Sequence, residues 1–272
     1  MTASPQRLYI ITGKGGVGKT VVSLAFTRWL RQQGHDATHV TFGHHRLRDQ
    51  SSPNRERPLA AWKDVPRWEL DLEESAEGYI QKKLGSGLAA KWIVRTAFFR
   101  ALVNMMPGFS YVIFLGRLLQ TMQDHPQRIM VLDAPASGHA LAMLEATANF
   151  REIFGAGAVF DDTQKMLTKL YDPTYTGLRI LALPTQMAMQ EAAELREAVA
   201  GIAPFDARIT LNQSLESWES ALAEAPAPLQ AKLAMEREVR SGAGDLPALP
   251  FSAATDPEEL WRDLGPAVAG LV

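Results

Sequence analysis

Residues Gly13-Lys14-Gly15-Gly16-Val17-Gly18-Lys19-Thr20 constrain this chain more than any other stretch. They hold four glycines and two lysines in eight residues, between two apolar segments. Before them, Leu8–Thr12 (LYIIT) is short, apolar and β-branched, the pattern of a buried strand. After them, Val21–Gln33 has helical spacing and stops at Gly34. Ala37–Phe42 reads as a second strand. Strand, glycine loop, helix, strand is the opening of a parallel α/β sheet. The loop fits the pattern GxxxxGK(S/T) in the context that pattern needs. Its glycines let successive backbone N–H groups turn inward around phosphate oxygens, and the helix start adds a partial positive charge. The expectation is a P-loop that binds ATP through residues 13–20 and Val21. Lys19 would reach the β- and γ-phosphates, and the Thr20 hydroxyl would ligate Mg²⁺.

The rhythm then breaks. Gly43–Arg67 carries Pro53, Pro58 and Pro66, the pair His44–His45, and six basic residues against three acidic ones, so a long loop is expected. Trp68–Gln123 reads as helical, with no strand signal before Arg128. This predicts a helical insertion subdomain over 68–123 within a single domain spanning 1–272. Further strands are expected at Arg128–Asp133, Arg179–Leu183, Ala207–Asn212 and Leu246–Phe251, with helices between them and a last helix over Pro257–Leu271. Ala101–Gly116 is almost uncharged, but Asn104 and Pro107–Gly108 interrupt it, and it is shorter than the roughly 20 residues of a membrane span. No integral membrane segment is expected, and the polar N-terminus lacks the order of a signal peptide.

Composition excludes several classes. With 46% hydrophobic and 21% charged residues and a net charge of −2, the chain is neither disordered nor a generally basic nucleic-acid binder. It has no cysteine, so disulfides, thiolate metal sites and cysteine nucleophiles are out of reach, and a cytoplasmic protein is the simplest reading. Charge is uneven: net +7 over residues 1–67, −1 over 68–180 and −8 over 181–272.

Asp133 ends an apolar strand, the usual place for a carboxylate aimed at magnesium or its waters, so Asp133 joins Thr20 as a candidate metal ligand. The second lysine of the loop, Lys14, gives the deviant form KGGxGK(S/T). This form resembles the signature of the dimeric P-loop ATPases that include MinD, ParA, the nitrogenase iron protein and the ArsA-like ATPases. The resemblance implies that Lys14 reaches across a dimer to the partner's phosphates, with a logic like that of an arginine finger.

Asp133-Ala134-Pro135-Ala136-Ser137-Gly138-His139 resembles the second switch of the ArsA-like family, which covers arsenite-transporter and tail-anchored-protein targeting ATPases. There Ser137, Gly138 and His139 would form the switch, with Gly138 as hinge. Leu181–Val199 is similar to the family's strand-Pro-x-x-Met-x-x-x-Glu-helix segment, with Pro184, Met187 and Glu191 in place. Ile209–Gln213 resembles the strand whose asparagine, here Asn212, recognises adenine; Pro250 and Phe251 sit where the adenine-side loop begins. The resemblance covers roughly residues 8–260.

Two departures stand out. After its second strand the family has Asp-Pro-Ala-His-Ser, whose aspartate positions the attacking water. Here the stretch reads Phe42-Gly43-His44-His45-Arg46, with Gly43 in the aspartate's place. Asp49, His44 and His45 are the candidates within that loop to replace it, and any ATP hydrolysis is expected to be slow or to depend on a partner. The lack of cysteine excludes a metalloid thiolate site and the zinc clamp of the eukaryotic targeting ATPases.

The favoured reading is an ATP-binding dimeric switch of the ArsA-like family, as homodimer or as heterodimer with a paralogous ATPase. Its helical subdomain holds methionines and aromatics that suit an apolar protein client as well as a plain core. One alternative is a nucleotide-binding pseudo-ATPase that pairs with a hydrolytic paralogue. The other is a ParA/MinD-like positioning ATPase, although the C-terminus (Gly265–Val272) has no Lys or Arg for a basic membrane helix.

Overall fold

All six residues of strand β1 (Leu8–Gly13) are buried, and a strand covered on both faces belongs inside a parallel sheet. The computed structural model describes residues 4–43, 62–106, 108–154, 158–222, 224, 226–244 and 246–272. In it β1 pairs in parallel with β4 (Ile129–Asp133) on one side and β5 (Thr176–Ala182) on the other. With β2 (Ala37–Phe42), β3 (Arg67–Leu70), β6 (Asp206–Ser214) and β7 (Ala248–Pro250) it forms a seven-stranded parallel sheet. The strand order is β3-β2-β4-β1-β5-β6-β7. The chain runs from β1 through helix α1 (Lys19–Gln32) to β2 and leaves a slot between them that β4 fills.

Alternate residues of β1 serve opposite layers, as the period of a strand requires. Leu8 and Ile10 pack with residues of α5 (Phe109–Asp124), α6 (Ser137–Phe154), α7 (Ala158–Leu170) and α8 (Gln186–Ile202). Tyr9 and Ile11 pack on the other face against α1, α11 (Pro257–Leu264) and the closing 3₁₀ turn Ala267–Leu271. Two further helices, α9 (Glu219–Leu222) and α10 (Ala227–Ala243), lie between β6 and β7 in sequence. The expected α/β P-loop architecture is therefore present.

The expectation for 68–123 needs one correction. Arg67–Leu70 (RWEL) is not helical but a strand, paired in parallel with β2 at the sheet edge. Its Arg67 and Glu69 are exposed while Leu70 is buried, and four residues of polar–apolar alternation carry little signal. The helices begin afterwards, as α2 (Leu72–Leu84), α3 (Gly87–Val94), α4 (Ala97–Met105) and α5. Each of the first three starts on a side-chain cap. Asp71 accepts from the Glu74 N–H at 3.0 Å, Ser86 from Ala89 at 3.3 Å and Thr96 from Phe99 at 3.1 Å. Such caps contribute about 1 kcal/mol each. Ala76, Val94 and Phe99 form a small core of their own, whereas Phe114, Leu115, Leu118 and Met122 of α5 join the main core.

The chain bends at Gly108. Gly108 has a φ of +80°, and α4 and α5 meet at 104°. A Cβ on Gly108 would overlap the Cβ of Ala146 in α6, so this elbow requires glycine twice over. Among the described residues no single helix is long and apolar enough to cross a membrane.

His39 lies in β2 at 1% exposure, with its Nε2 3.0 Å from the Ser23 hydroxyl of α1. Burial, assisted by Arg67, lowers its pKa from 6.5 to about 4. The folded state therefore keeps His39 neutral where the unfolded chain would protonate it. Its contribution is complete above pH 6.5 and is lost as pH falls through that value toward 4. Unfolding free energy is expected to drop by about 2 kcal/mol on this account between pH 7 and pH 5. Urea titrations of the wild type and His39→Gln at both pH values check this; an equal pH slope in the two proteins would contradict it.

Candidate functional site

The glycine loop leaves β1 at its carboxyl end, and the slot filled by β4 brings Asp133 beside it, with Ile11 and Asp133 in register. Ligands of open parallel sheets sit at such a point, where the strand order reverses. α1 begins at Lys19 with Gly18 as N-cap, without a side-chain cap hydrogen bond and without an acidic residue in its first turn. Its first N–H groups are thus left for an anion. Gly18 holds a φ of +91°, and a Cβ there would stand 2.8 Å from Nδ2 of Asn212. A Cβ on Gly15 or Gly16 would meet nothing within 4 Å, so the floor of the loop is open. Val17 is buried in the core on the α1 face and anchors the loop, and Val21 packs partly buried against the same core.

The charged groups converge. Nζ of Lys19 donates to the Gly13 and Lys14 carbonyls at 3.1 and 3.0 Å. Burial pulls its pKa down, against the pull of Asp133 in the opposite direction. The Thr20 hydroxyl donates to Asp133 Oδ2 at 2.6 Å. Burial raises the Asp133 pKa, while the Thr20 hydrogen bond and Lys19 oppose the rise. A hydroxyl and a carboxylate in contact, next to a cation that follows a phosphate-type loop, are the hard oxygen donors that Mg²⁺ takes. The residues therefore fit both a nucleotide phosphate chain and its magnesium.

The other predicted residues are placed as follows. Nζ of Lys14 pairs with Glu191 Oε1 of α8 at 2.5 Å within the same chain. The Thr12 hydroxyl donates to the Pro135 carbonyl at 3.0 Å and ties down the segment after Asp133. Ser137 starts α6 and lines a small hollow with Gly13, Lys14, Val17 and Glu191. A Cβ on Gly138 would meet nothing within 4 Å, and His139 is exposed, with no ring hydrogen bond among the described residues. His44, His45 and Asp49 lie outside the described residues. Gly43 donates its N–H to the Leu70 carbonyl at 2.8 Å.

On the far side of the loop, Asn212 is buried and donates its Nδ2 to the Val17 carbonyl at 2.7 Å. Its neighbour Gln213 has a φ of +62°. Pro250 pairs with Ser214, the Phe251 N–H donates to the Ser214 carbonyl at 2.7 Å, and Trp218 Nε1 donates to the Phe251 carbonyl at 2.9 Å. Glu236 of α10 completes this corner and is absent from the sequence expectations. It is 1% exposed; its Oε1 accepts from the Ser214 hydroxyl at 2.5 Å and its Oε2 from the Leu215 N–H at 2.8 Å. The signal for it is positional. Glu236 stands three residues from each of the buried Leu233 and Val239, on the apolar stripe of its helix.

Comparison with known proteins agrees with this geometry. The family model described as anion-transporting ATPase matches residues 6–159, over half of the chain. The chain is 24% identical over 208 residues to the ATPase BagA of Mycobacterium tuberculosis, covering 71% of this chain and 61% of that protein. It is 25% identical over 279 residues to the ATPase ARSA1 of Chlamydomonas reinhardtii, covering 78% and 36%. It is 27% identical over 226 residues to an arsenical pump-driving ATPase of Escherichia coli, covering 79% and 36%. The chain thus spans less than two thirds of the length of these curated relatives. A matched family model, a parallel sheet with the P-loop at its switch point, and Thr20 hydrogen-bonded to Asp133 at that loop agree on one conclusion: this chain belongs to the anion-transporting (ArsA) ATPase family.

Proposed function

We propose that this chain is an ATP-binding, dimerising nucleotide switch in which closure over ATP and Mg²⁺ is coupled to a partner surface on α2–α4. The observation that carries this reading is the uncapped start of α1 behind the glycine loop, with Lys19 and the Thr20–Asp133 pair beside it. Thr20 and Asp133 would hold the metal, which supplies charge neutralisation at the phosphates. Lys19 binds the phosphate chain, and Asn212, Pro250 and Phe251 border the base. Coupling to the helical unit is supported by a cavity of about 540 Å³, lined by Phe42 and Gly43 at the end of β2 and by Val94, Phe99, Val103 and Tyr111. A partner surface is supported by Leu88, Trp92, Phe98 and Met105, which are 73–84% exposed on α3 and α4. Gly43 favours a second reading, a nucleotide-binding subunit that leaves hydrolysis to a paralogue.

Two experiments address the main reading. Lys19→Ala removes a charge-assisted contact of about 1.5–3 kcal/mol and is expected to weaken ATP binding by about tenfold or more. Unchanged affinity by calorimetry would refute the site.

The second concerns Lys14. Its pair with Glu191 is about half exposed, with side chains at 49% and 38%, so it holds Lys14 by no more than about 1 kcal/mol. Closure that carries Lys14 to a partner's phosphates can break that pair. Glu191→Gln is expected to raise ATP-dependent dimerisation by up to about fivefold, and Lys14→Ala to reduce it while leaving ATP affinity in dilute protein nearly intact. Sedimentation with ATP reads both; normal dimerisation of Lys14→Ala would exclude action in trans.

A further inference from the structure

Gly43 stands where the family resemblance puts a water-orienting aspartate, and a carboxylate from another strand lies directly against it. That carboxylate belongs to Glu69, in the edge strand β3. β2 lies between β3 and β4, and Thr41 is in register with Glu69 on one side and Asp133 on the other. Val40, Phe42, Leu70 and Leu132 all belong to the core on the α5–α8 face. Successive residues of a strand alternate faces, so Thr41, Glu69 and Asp133 share the opposite face, that of α1 and Thr20. Two strand spacings, roughly 10 Å, separate the backbones of Glu69 and Asp133.

From there the Glu69 side chain turns toward the end of β2. Its Oε1 lies 3.2 Å, and its Cγ 3.5 Å, from the point where a Cβ on Gly43 would stand. An aspartate at 43 would grow from that same point. The two positions therefore compete for one volume: glycine at 43 leaves it to the carboxylate of Glu69. The carbonyl of Leu70, at 3.1 Å from the same point, closes the other side.

We propose that Glu69 is the carboxylate that orients the attacking water in ATP hydrolysis by this chain, a role that rests on the nucleotide site proposed above. The water oxygen forms a bond to the γ-phosphorus while the bond from that phosphorus to the β,γ-bridging oxygen breaks. ADP keeps the electron pair of the broken bond. The water's proton passes to Glu69, which is exposed and returns it to solvent. Under this assignment the catalytic carboxylate has moved from the end of β2 to the adjacent strand, and the chain turns ATP over without help from a paralogue.

The test measures phosphate release and, by calorimetry, ATP affinity for the full chain. Glu69→Gln keeps the shape of the side chain; it is expected to lower turnover by about 100-fold with ATP affinity held within about threefold. Glu73→Gln, which alters another carboxylate lining the cavity beside Gly43, is expected to leave turnover within about threefold of wild type. The exchange of positions supplies the decisive variant. Glu69→Ala combined with Gly43→Asp is expected to recover turnover by about tenfold or more over Glu69→Ala alone. Full activity in Glu69→Gln overturns the assignment, as does a wild type that binds ATP without hydrolysing it. The same holds if Asp49→Asn, rather than Glu69→Gln, abolishes turnover. A wild type that fails to bind ATP overturns the nucleotide site itself.

Discussion

Thr20 and Asp133 are 113 positions apart in the chain and 2.6 Å apart in space because β4 is threaded between β1 and β2. Everything else at the site depends on that insertion. It sets the carboxylate at the level of the loop, in register with Ile11. It also half-buries the carboxylate near Lys19, where partial exclusion of water strengthens the attraction between opposite charges. A parallel sheet is the architecture that gathers strand ends in this way, since every crossover returns its strand in the same direction. The apolar content of β1, β4 and β5 is what makes such a central position stable.

The loop is held from several directions at once. Val17 plugs it into the core from below, Asn212 fastens its carbonyl from β6, and Lys14 is held laterally by Glu191. Lys19 closes it across the top by bonding two of its own carbonyls. These ties differ in strength. The buried amide of Asn212 lies in a place where loss of a partner costs about 1–3 kcal/mol, whereas the half-exposed ion pair is a weak and salt-sensitive contact. The lateral tie is thus the weaker of these two and the one that would yield first in any rearrangement of the loop.

Much of this was legible in the sequence because it is local. Gly13–Thr20 announces its own conformation through its glycines, β1 and β4 are apolar runs, and the short apolar and β-branched stretches in β2, β5 and β6 can be read without their partners. The features that escaped are those decided by distant partners. Arg67–Leu70 is a strand only because β2 lies beside it, and its exposed Arg67 and Glu69 conceal that. Glu236 looks like one more acid on a charged helix until Ser214 and Leu215 are brought against it. The family pattern singles out Glu191 and Asn212 as matching positions, but their contacts with Lys14 and Val17 cross 177 and 195 positions of chain. The vacancy at Gly43 was plain in the sequence; its neighbour Glu69 was not, because the strand that carries it was not.

The elbow at Gly108 has a mechanical meaning as well. α6 starts at Ser137, four residues after Asp133, and reaches Gly108 at Ala146, nine residues and roughly 14 Å further along its axis. A helix is stiff over that distance. At the elbow the contact has no slack, since even one added carbon on Gly108 would overlap Ala146. α6 is therefore a strut between the carboxyl end of the sheet and the elbow where α4 and α5 meet. Packed cores shift between discrete arrangements rather than deforming smoothly. A strut without play would turn a displacement of Ser137 by even an ångström into a change of angle at α4, and a load applied to α4 would return along the same path to Asp133.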